Sequence, residues 1–207
     1  MADGPTGVIL LETARLRLRH FVPGDLERLV ELDSDPEVTR YTSYGEPTPR
    51  ERYEREILPR RLAYHESTPL VGYWAAETRG DGEFLGWFHL RPDRFDPGEQ
   101  ELGYRLKRAA WGRGYATEGG RALLGHGFRP VGAEKISART LARNAGSLKV
   151  MRKCGLVFER EFVWPEDVLA GRPEEERAGV KYSITRVRWL ELSSRPAAPS
   201  GPIPARG

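Results

Sequence analysis

Two kinds of hydrophobic spacing alternate along the chain and predict its secondary structure. Short apolar or alternating runs predict strands at 15–19, 71–78, 84–90, 101–106, 135–140, 157–164 and 182–189. Apolar residues at helical spacing predict a helix after Pro23, a charged helix at 50–65, a helix after Gly114 and another at 144–153. Because long helices lie between numerous strands, the pattern indicates an α/β or α+β fold with a mixed sheet.

The two ends of the chain differ from the segment between them. We expect residues 1–10 to form a flexible leader and residues 11–192 a single domain, since 207 residues suffice for one substantial core. From residue 193 the sequence reads SSRPAAPSGPIPARG, which has too little apolar surface to offset the entropy lost on ordering. Residues 193–207 are therefore expected to be disordered.

Composition argues against several classes of protein. No apolar run approaches the roughly 18 residues of a membrane span, and the first residues do not resemble a signal peptide. Cys154 is the only cysteine, which excludes a disulfide framework. We therefore expect a cytoplasmic protein with no membrane partner. A net charge of +3 is too small to favour nucleic acid, and the histidines show no metal-ligand spacing, so we expect neither nucleic acid nor metal.

The middle of the chain combines a strand, a glycine-containing turn and a helix start. Gly112 and Gly114 flank Arg113 in the turn, and the helix start presents unpaired N–H groups and the positive end of the helix dipole. Glycines let an anion approach the main chain closely, so this segment predicts a binding site for a diphosphate. Lys107, Arg108 and Arg113 would supply counter-charge, although each could equally be a solvated loop residue.

Two common nucleotide-binding motifs do not fit this turn. A P-loop requires GxxxxGK[ST], which is absent, and a GxGxxG fingerprint has Thr117 at its third glycine. Residues 111–118, WGRGYATE, instead resemble the acetyl-CoA loop of the GNAT N-acetyltransferases. Residues 11–42 and the segment from Asn144 to Leu156 are also similar to that superfamily, in particular to the branch of ribosomal-protein alanine acetyltransferases.

The resemblance extends over roughly residues 11–190 and implies a fold and a cofactor. The implied GNAT fold has a mixed, mostly antiparallel central sheet of about six or seven strands with helices on both faces. The implied cosubstrate is acetyl-CoA, with Asn144 bonding the pantetheine arm, although Asn is also a common helix N-cap. The cofactor-binding residues expected from the motif are Tyr104, Leu106, Lys107, Arg108, Gly112, Arg113, Gly114, Tyr115, Ala116, Thr117 and Asn144.

Acetyl transfer to an amine requires a neutral amine and a stabilised oxyanion. A lysine with a pKa near 10.4 is only about 0.04% neutral at pH 7, so a base matters most for a lysine acceptor. Glu101 matches an acidic position of the branch and is the candidate base, directly or through water; Glu99 could serve in a different register. By resemblance, a main-chain N–H within 104–106 would stabilise the oxyanion.

The departing thiolate needs a proton donor. Many GNAT enzymes place a tyrosine seven residues after the motif asparagine, but here that position is Met151, which has no proton to donate. The ribosomal-protein branch instead implies a hydroxyl at Ser147, which is the candidate donor. Serine in the first turn of a helix also occurs without a catalytic role.

The acceptor is implied only as a primary amine. The branch implies a protein N-terminal α-amine or a lysine; a small amine such as an antibiotic or polyamine is the alternative. A non-catalytic acyl-CoA-binding protein is a further alternative, favoured by Met151. By family analogy Tyr41, Trp87 and Trp164 would line the acceptor pocket, between the loops at 39–49 and 165–179. The protein is expected to be a monomer or a homodimer.

Overall fold

An eight-stranded sheet runs through the part of the chain that the computed structural model describes, residues 7–42, 46–169 and 171–194. The strands are β1 Ile9–Glu12, β2 Leu16–His20, β3 Gly72–Thr78, β4 Phe84–Pro92, β5 Gln100–Leu106, β6 Lys135–Leu141, β7 Val157–Val163 and β8 Ala178–Thr185. Their order is β1-β2-β3-β4-β5-β6-β8-β7. Every neighbouring pair is antiparallel except β5 and β6, which are parallel.

Seven α-helical segments accompany the sheet among the described residues. They are α1 Leu26–Ser34, α2 Pro36–Thr39, α3 Arg50–Arg52, α4 Leu58–Ser67, α5 Tyr115–Phe128, α6 Ala145–Lys153 and α7 Arg186–Ser194. A π-helical stretch, Tyr53–Ile57, joins α3 to α4, so the charged helix predicted at 50–65 is continuous but not uniform. No helix among the described residues is long and apolar enough to cross a membrane.

The sheet separates two hydrophobic clusters. Along β4, Phe88 and Leu90 pack toward α5 and α6, whereas Trp87 packs on the opposite face with residues of α1 and α4. This alternation follows from the period of two along a strand. The predicted mixed, mostly antiparallel sheet with helices on both faces is confirmed, with eight strands in place of six or seven.

The predictions at the two ends of the chain differ from the structure. Strand β1 begins at Ile9, inside the segment expected to be a leader, and pairs with β2. The last strand was predicted at 182–189, but β8 ends at Thr185 and α7 begins at Arg186. Trp189 on α7 packs on Phe128 with ring centroids 5.4 Å apart, so tertiary packing determines this helix. Residues 1–6 and 195–207 lie outside the described residues.

Glycines bring α5 close to the sheet. A Cβ added at Gly119 would lie 2.4 Å from Cζ of Phe88, and one at Gly127 would lie 2.5 Å from Cδ1 of Ile136. Cβ atoms do not approach other heavy atoms this closely, so both positions require glycine for packing. The glycines cost about 0.5–1 kcal/mol each in helix propensity, and they place the start of α5 against the central strands.

A buried ion cluster ties β8 and β7 to the loop before β5. The side chain of Lys181 is 1% exposed, and its Nζ lies 2.8 Å from Asp96, 2.9 Å from Glu99 and 3.0 Å from Glu159. A buried ammonium is stable only with such partners. Hydrogen bonding from Lys181 lowers the pKa of Asp96 to about 2. The cluster thereby fixes the loop between β4 and β5 against β7 and β8.

We predict opposite effects for alanine at two glycines of α5. Gly119→Ala should destabilise the fold by about 1–3 kcal/mol, because the new methyl group overlaps Phe88. Gly125→Ala is the matched control, since its Cβ would lie 3.8 Å from Trp189, an ordinary contact; helix propensity should then stabilise it by up to about 1 kcal/mol. Urea unfolding measures both, and a shift of the two variants in the same direction would contradict this packing.

Candidate active site

Strands β5 and β6 separate shortly after they meet. Their parallel pairing is limited to Gln100 with Ile136 and Glu101 with Ser137. The remainder of β5, to Leu106, continues to pair with β4 alone. An opening therefore forms between two central strands of the sheet. We call it the β5–β6 gap, closed at Glu101 and open toward Leu106.

Main-chain groups of β5 point into this gap. The N–H of Lys107 donates to the carbonyl of Leu85 at 2.8 Å, and Arg105 is paired with Trp87 in the same ladder. Because N–H and C=O groups alternate in direction along a strand, the N–H groups of Tyr104 and Leu106 face away from β4 and into the gap. Both residues lie within 104–106, the segment expected to supply the main-chain N–H that stabilises the oxyanion.

The start of α5 leaves donors free at the mouth of the gap. Glu118 N–H donates to the Gly114 carbonyl at 3.0 Å, the first helical bond, so the N–H groups of the three preceding residues have no helical acceptor. No side chain caps this helix among the described residues. Gly112 and Gly114 have φ values of 72° and 87°, in the left-handed region that favours glycine.

Arg15 holds the turn in place. Its Nη1 donates to the Arg113 carbonyl at 3.0 Å, and its Nη2 lies 2.6 Å from the Glu118 carboxylate. The Thr13 hydroxyl donates to Glu118 at 2.6 Å. These contacts leave the Arg113 guanidinium exposed, without an acidic partner among residues 7–42, 46–169 and 171–194. A cleft of about 710 Å³, lined by Arg15, Arg79, Arg113 and Tyr115 among others, lies beside it.

Two of the predicted phosphate ligands have other partners. Lys107 Nζ lies 2.7 Å from Glu31, and Arg108 Nε lies 3.2 Å from Asp35, so both side chains are ion-paired near the end of α1. Of these three basic residues, Arg113 is the one with no ion pair to any residue that the structure describes. A phosphate role for Lys107 or Arg108 stays a prediction and would require these pairs to open.

Asn144 and Ser147 lie beyond the carboxyl end of β6. Asn144 caps α6, because its Oδ1 accepts the Ser147 N–H at 3.1 Å. The Ser147 hydroxyl shares a hydrogen bond with the hydroxyl of Tyr104, and burial raises the pKa of Tyr104 to about 12. Tyr104 and Ser147 thus join β5 to α6. Met151, at the expected tyrosine position, is a core residue with 5% exposure.

Glu101 is buried at the closed end of the gap. It is ion-paired with Arg91, directly opposite on β4, and lies 3.9 Å from Arg139. Burial raises the pKa of Glu101, and the charge of Arg91 opposes that shift. Glu99, the alternative base, is instead ion-paired with Lys135 and Lys181 at 2.9 Å each. Both carboxylates are thus ion-paired, and the choice of Glu101 as the base stays a prediction.

The aromatic residues predicted for the acceptor pocket are dispersed. Trp87 is buried on the same sheet face as Glu101. Tyr41 is half-buried at the end of α2, where Arg40 lies over its ring. Trp164 packs instead on Phe95 and Phe162, beside β7. Their role toward an acceptor stays a prediction.

Sequence reasoning missed His89 as a candidate site residue. Neither ring nitrogen of His89 has a hydrogen-bond partner among the described residues, and Nε2 lies 4.0 Å from Glu101. Burial holds the pKa of His89 well below its ordinary value, so the ring is neutral at pH 7. The available signal was the alternation of His89 and Arg91 with the apolar Phe88 and Leu90, which marks a polar row on one face of β4.

Three carboxylates lie close enough together to hold a metal ion, but each is already ion-paired with a basic residue. Oxygens of Asp93, Asp96 and Glu99 lie within 4.8 Å of one another. Arg139 is ion-paired with both aspartates, and Lys181 lies against Asp96 and Glu99. The expectation that no metal is bound stays a prediction.

The residues present fit the two distinctive parts of acetyl-CoA. The free N–H groups of the α5 start, the left-handed glycines and the unpaired Arg113 suit a diphosphate. The β5–β6 gap, with inward-facing main-chain groups at Tyr104 and Leu106, suits an extended chain with amide groups such as the pantetheine arm.

Comparison with known proteins agrees with this geometry. A family model described as Acetyltransferase (GNAT) domain matches residues 15–157. The FsC-acetyl coenzyme A-N(2)-transacetylase of Aspergillus fumigatus is 33% identical over 190 residues, which cover 88% of this chain and 78% of that protein.

Two solved structures show the same fold. One is spermidine N-acetyltransferase from Vibrio cholerae in complex with CoA and spermine, which superposes with a TM-score of 0.68 at 19% sequence identity. The match covers 86% of this chain and 99% of the Vibrio cholerae chain. The other is ribosomal-protein-S5-alanine acetyltransferase from Vibrio fischeri, with a TM-score of 0.67 at 17% sequence identity; the match covers 88% of this chain and 98% of the Vibrio fischeri chain. The chain belongs to the GNAT acetyltransferase family, and it is an N-acetyltransferase.

We predict that a methyl group at Gly112 weakens coenzyme A binding by at least about tenfold, because it obstructs close approach of the diphosphate to the main chain. Gly132→Ala is the matched control: Gly132 has a φ of 73° against 72° for Gly112, and an added Cβ meets nothing within 4 Å at either position. Both variants should lose similar stability. Calorimetric titration with coenzyme A distinguishes them, and equal affinities for the two variants would refute the assignment.

Proposed function

We propose that this protein transfers the acetyl group of acetyl-CoA to a primary amine by direct attack of the amine on the thioester. The observation that carries the proposal is the β5–β6 gap, which ends at a buried carboxylate and opens beside a helix start with free N–H groups. Glu101 and Tyr104 belong to opposite faces of β5 by strand parity. A base and a hydroxyl pair therefore flank the gap from its two sides.

The main chain of β5 would stabilise charge on the reacting carbonyl. Bound acetyl-CoA supplies an activated acyl group, and the N–H groups of Tyr104 and Leu106 are available to its carbonyl oxygen. Preorganised donors of this kind cost no reorganisation during the reaction.

Glu101 would remove the proton of the incoming ammonium, directly or through water. Its burial raises its pKa, which makes it a stronger base than an exposed carboxylate. The charge of Arg91 opposes that rise and favours the ionised form of Glu101. On the other side of the gap, Ser147 would donate a proton to the departing thiolate, with the Tyr104 hydroxyl as its hydrogen-bond partner.

The acceptor that the sequence resemblance favours is a protein N-terminal α-amine or a lysine. The likeness to a ribosomal-protein-S5-alanine acetyltransferase supports this choice through the fold alone. A small amine is the second candidate, supported by the names of the Aspergillus relative and of the Vibrio spermidine enzyme. A screen of peptide and small amines with acetyl-CoA, read by mass, distinguishes them. If acetyl-CoA binds but no amine in the screen is acetylated, and CoA is released no faster than by spontaneous hydrolysis, the acyl-CoA-binding alternative is favoured.

We predict that Glu101→Gln lowers kcat/KM by roughly a hundredfold or more, the usual effect of removing a general base. The dissociation constant for acetyl-CoA should change little, since Glu101 lies at the closed end of the gap. Wild-type kcat/KM should fall in acid as Glu101 becomes protonated, at a pH above the ordinary carboxyl pKa because burial raises it. The variant should lack this dependence.

Glu99→Gln provides the comparison for that variant. Its carboxylate is ion-paired with Lys135 and Lys181, so the substitution should reduce stability more than it reduces kcat/KM. If Glu99→Gln abolishes turnover and Glu101→Gln does not, the assignment of the base is wrong.

We predict that Ser147→Ala lowers kcat by roughly a hundredfold, since the thiolate then departs without its donor. Acetyl-CoA affinity should be retained, because Asn144 still caps α6 through the main-chain N–H of residue 147. The steady-state rate at saturating acetyl-CoA and saturating amine measures the effect. Unchanged kcat would remove Ser147 from the mechanism.

A further inference from the structure

Arg61 is a buried cation with no anionic partner in the described part of the chain. It lies on α4, is 8% exposed, and forms no ion pair with any acid among residues 7–42, 46–169 and 171–194. Its buried Nη1 has no hydrogen-bond partner in that part of the chain. Burial lowers the pKa of Arg61 to about 10, so the guanidinium remains charged at pH 7.

Three aromatic rings surround this guanidinium. Its Cζ lies 4.8 Å from the ring centroid of Trp87, 4.9 Å from that of Phe21 and 5.2 Å from that of Tyr73. Cation–π contacts contribute about 2 kcal/mol when desolvated. A buried ion costs several kcal/mol, and ring faces do not replace hydrogen-bond acceptors in its plane. The rings therefore hold and orient the guanidinium, while its buried Nη1 has no hydrogen-bond acceptor among the described residues.

The other arginines of this sheet face are matched by acids. Arg105 lies against Asp33, with one nitrogen 2.5 Å from the carboxylate, and Arg91 is ion-paired with Glu101. Arg61 has no such ion pair with any residue that the structure describes. Within the described residues this face therefore holds one guanidinium with no acid in ion-pair contact, and a ligand of opposite charge would balance it.

The position of this charge relates it to the candidate base. Trp87 contacts Arg61 on one side and stacks on His89 with ring centroids 5.8 Å apart. His89 in turn lies 4.0 Å from Glu101. Arg61, Trp87, His89 and Glu101 thus form a continuous row from an unpaired cation to the group proposed to deprotonate the amine.

We propose that Arg61 binds a carboxylate of the acceptor, so that the substrate is a primary amine carrying a carboxylate group. This inference rests on the acetyltransferase function proposed above and narrows its acceptor. The carboxylate would come from an amino acid or from an acidic residue of a peptide. A polyamine would be repelled, because it would bring further positive charge to a face that already has an excess.

The test compares each amine with its uncharged counterpart. Glycine, β-alanine and γ-aminobutyrate are paired with their carboxamides, and the peptide Asp-Ala-Ala amide is paired with Asn-Ala-Ala amide; spermidine is included. Transfer is measured as kcat/KM with acetyl-CoA for wild type, Arg61→Met, Arg61→Lys and Arg60→Met. Arg60 is the exposed neighbour on α4 and serves as the control for the loss of one positive charge. The carboxylate-to-carboxamide ratio of each variant is divided by that of wild type, which cancels the intrinsic basicity of the amines.

Wild type should prefer at least one carboxylate over its carboxamide. Arg61→Met should reduce that preference by roughly ten- to hundredfold, with carboxamide transfer and acetyl-CoA affinity retained. Arg61→Lys should keep part of it, and Arg60→Met all of it. The free amino acids and the peptides report separately on the two sources of the carboxylate.

A second measurement does not depend on a stable Arg61 variant. Calorimetry of wild type with coenzyme A present should detect binding of N-acetylglycine or its longer homologues, and weaker binding of the matching amides. Equal preference in Arg61→Met and wild type, equal binding of acids and amides, or faster transfer to spermidine than to every carboxylate would overturn the inference. Transfer to carboxamides or spermidine alone would leave the acetyltransferase proposal standing, whereas transfer to no amine, with coenzyme A bound, would reject both.

Discussion

Main-chain hydrogen-bonding groups inside a sheet are nearly always paired, because leaving them unpaired away from water costs free energy. Here β5 and β6 hydrogen-bond over only two residue pairs and then separate. The N–H groups of Tyr104 and Leu106 consequently face an opening where a neighbouring strand would otherwise lie. A bound chain with its own amide groups can complete this pairing, and the rest of the structure holds the opening in place.

Both ends of that opening are fixed by polar contacts. At the closed end, Lys181 and Arg139 neutralise the acids of the loop between β4 and β5. At the open end, Arg15 and Thr13 hold Glu118, and with it the first turn of α5. The close packing of Gly119 on Phe88 presses α5 against the same strands. Donors of the sheet and of the helix start are thereby presented on one side of the molecule.

Local patterns in the sequence predicted most of these elements, since a period of two or of 3.6 depends on which residues face the core. The central strand and α5 follow this rule, whereas the glycine turn and the Asn144 cap follow from local turn and capping preferences. The pattern failed where distant contacts decide the outcome. Trp189 belongs to α7, where its ring packs on Phe128, and not to the predicted last strand. Strand β1 forms because its main chain hydrogen-bonds to β2.

The candidate site was predictable to the same degree. Gly112, Gly114 and Glu101 were identified because turn chemistry and family resemblance are local in sequence. The pairing of Lys107 with Glu31 joins residues far apart in the chain, and so do the contacts of Arg61 with three aromatic rings. Neither can be obtained from spacing. Charge balance within a buried face becomes visible only once the fold brings the groups together.

Amide hydrogen exchange at single-residue resolution, with and without coenzyme A, tests the central claim most directly. If the cofactor completes the β5–β6 gap and the α5 start, exchange at Tyr104, Leu106, Ala116 and Thr117 should slow by at least about tenfold, while β3 amides remain unchanged. Binding of coenzyme A with no added protection at these four amides would contradict the account.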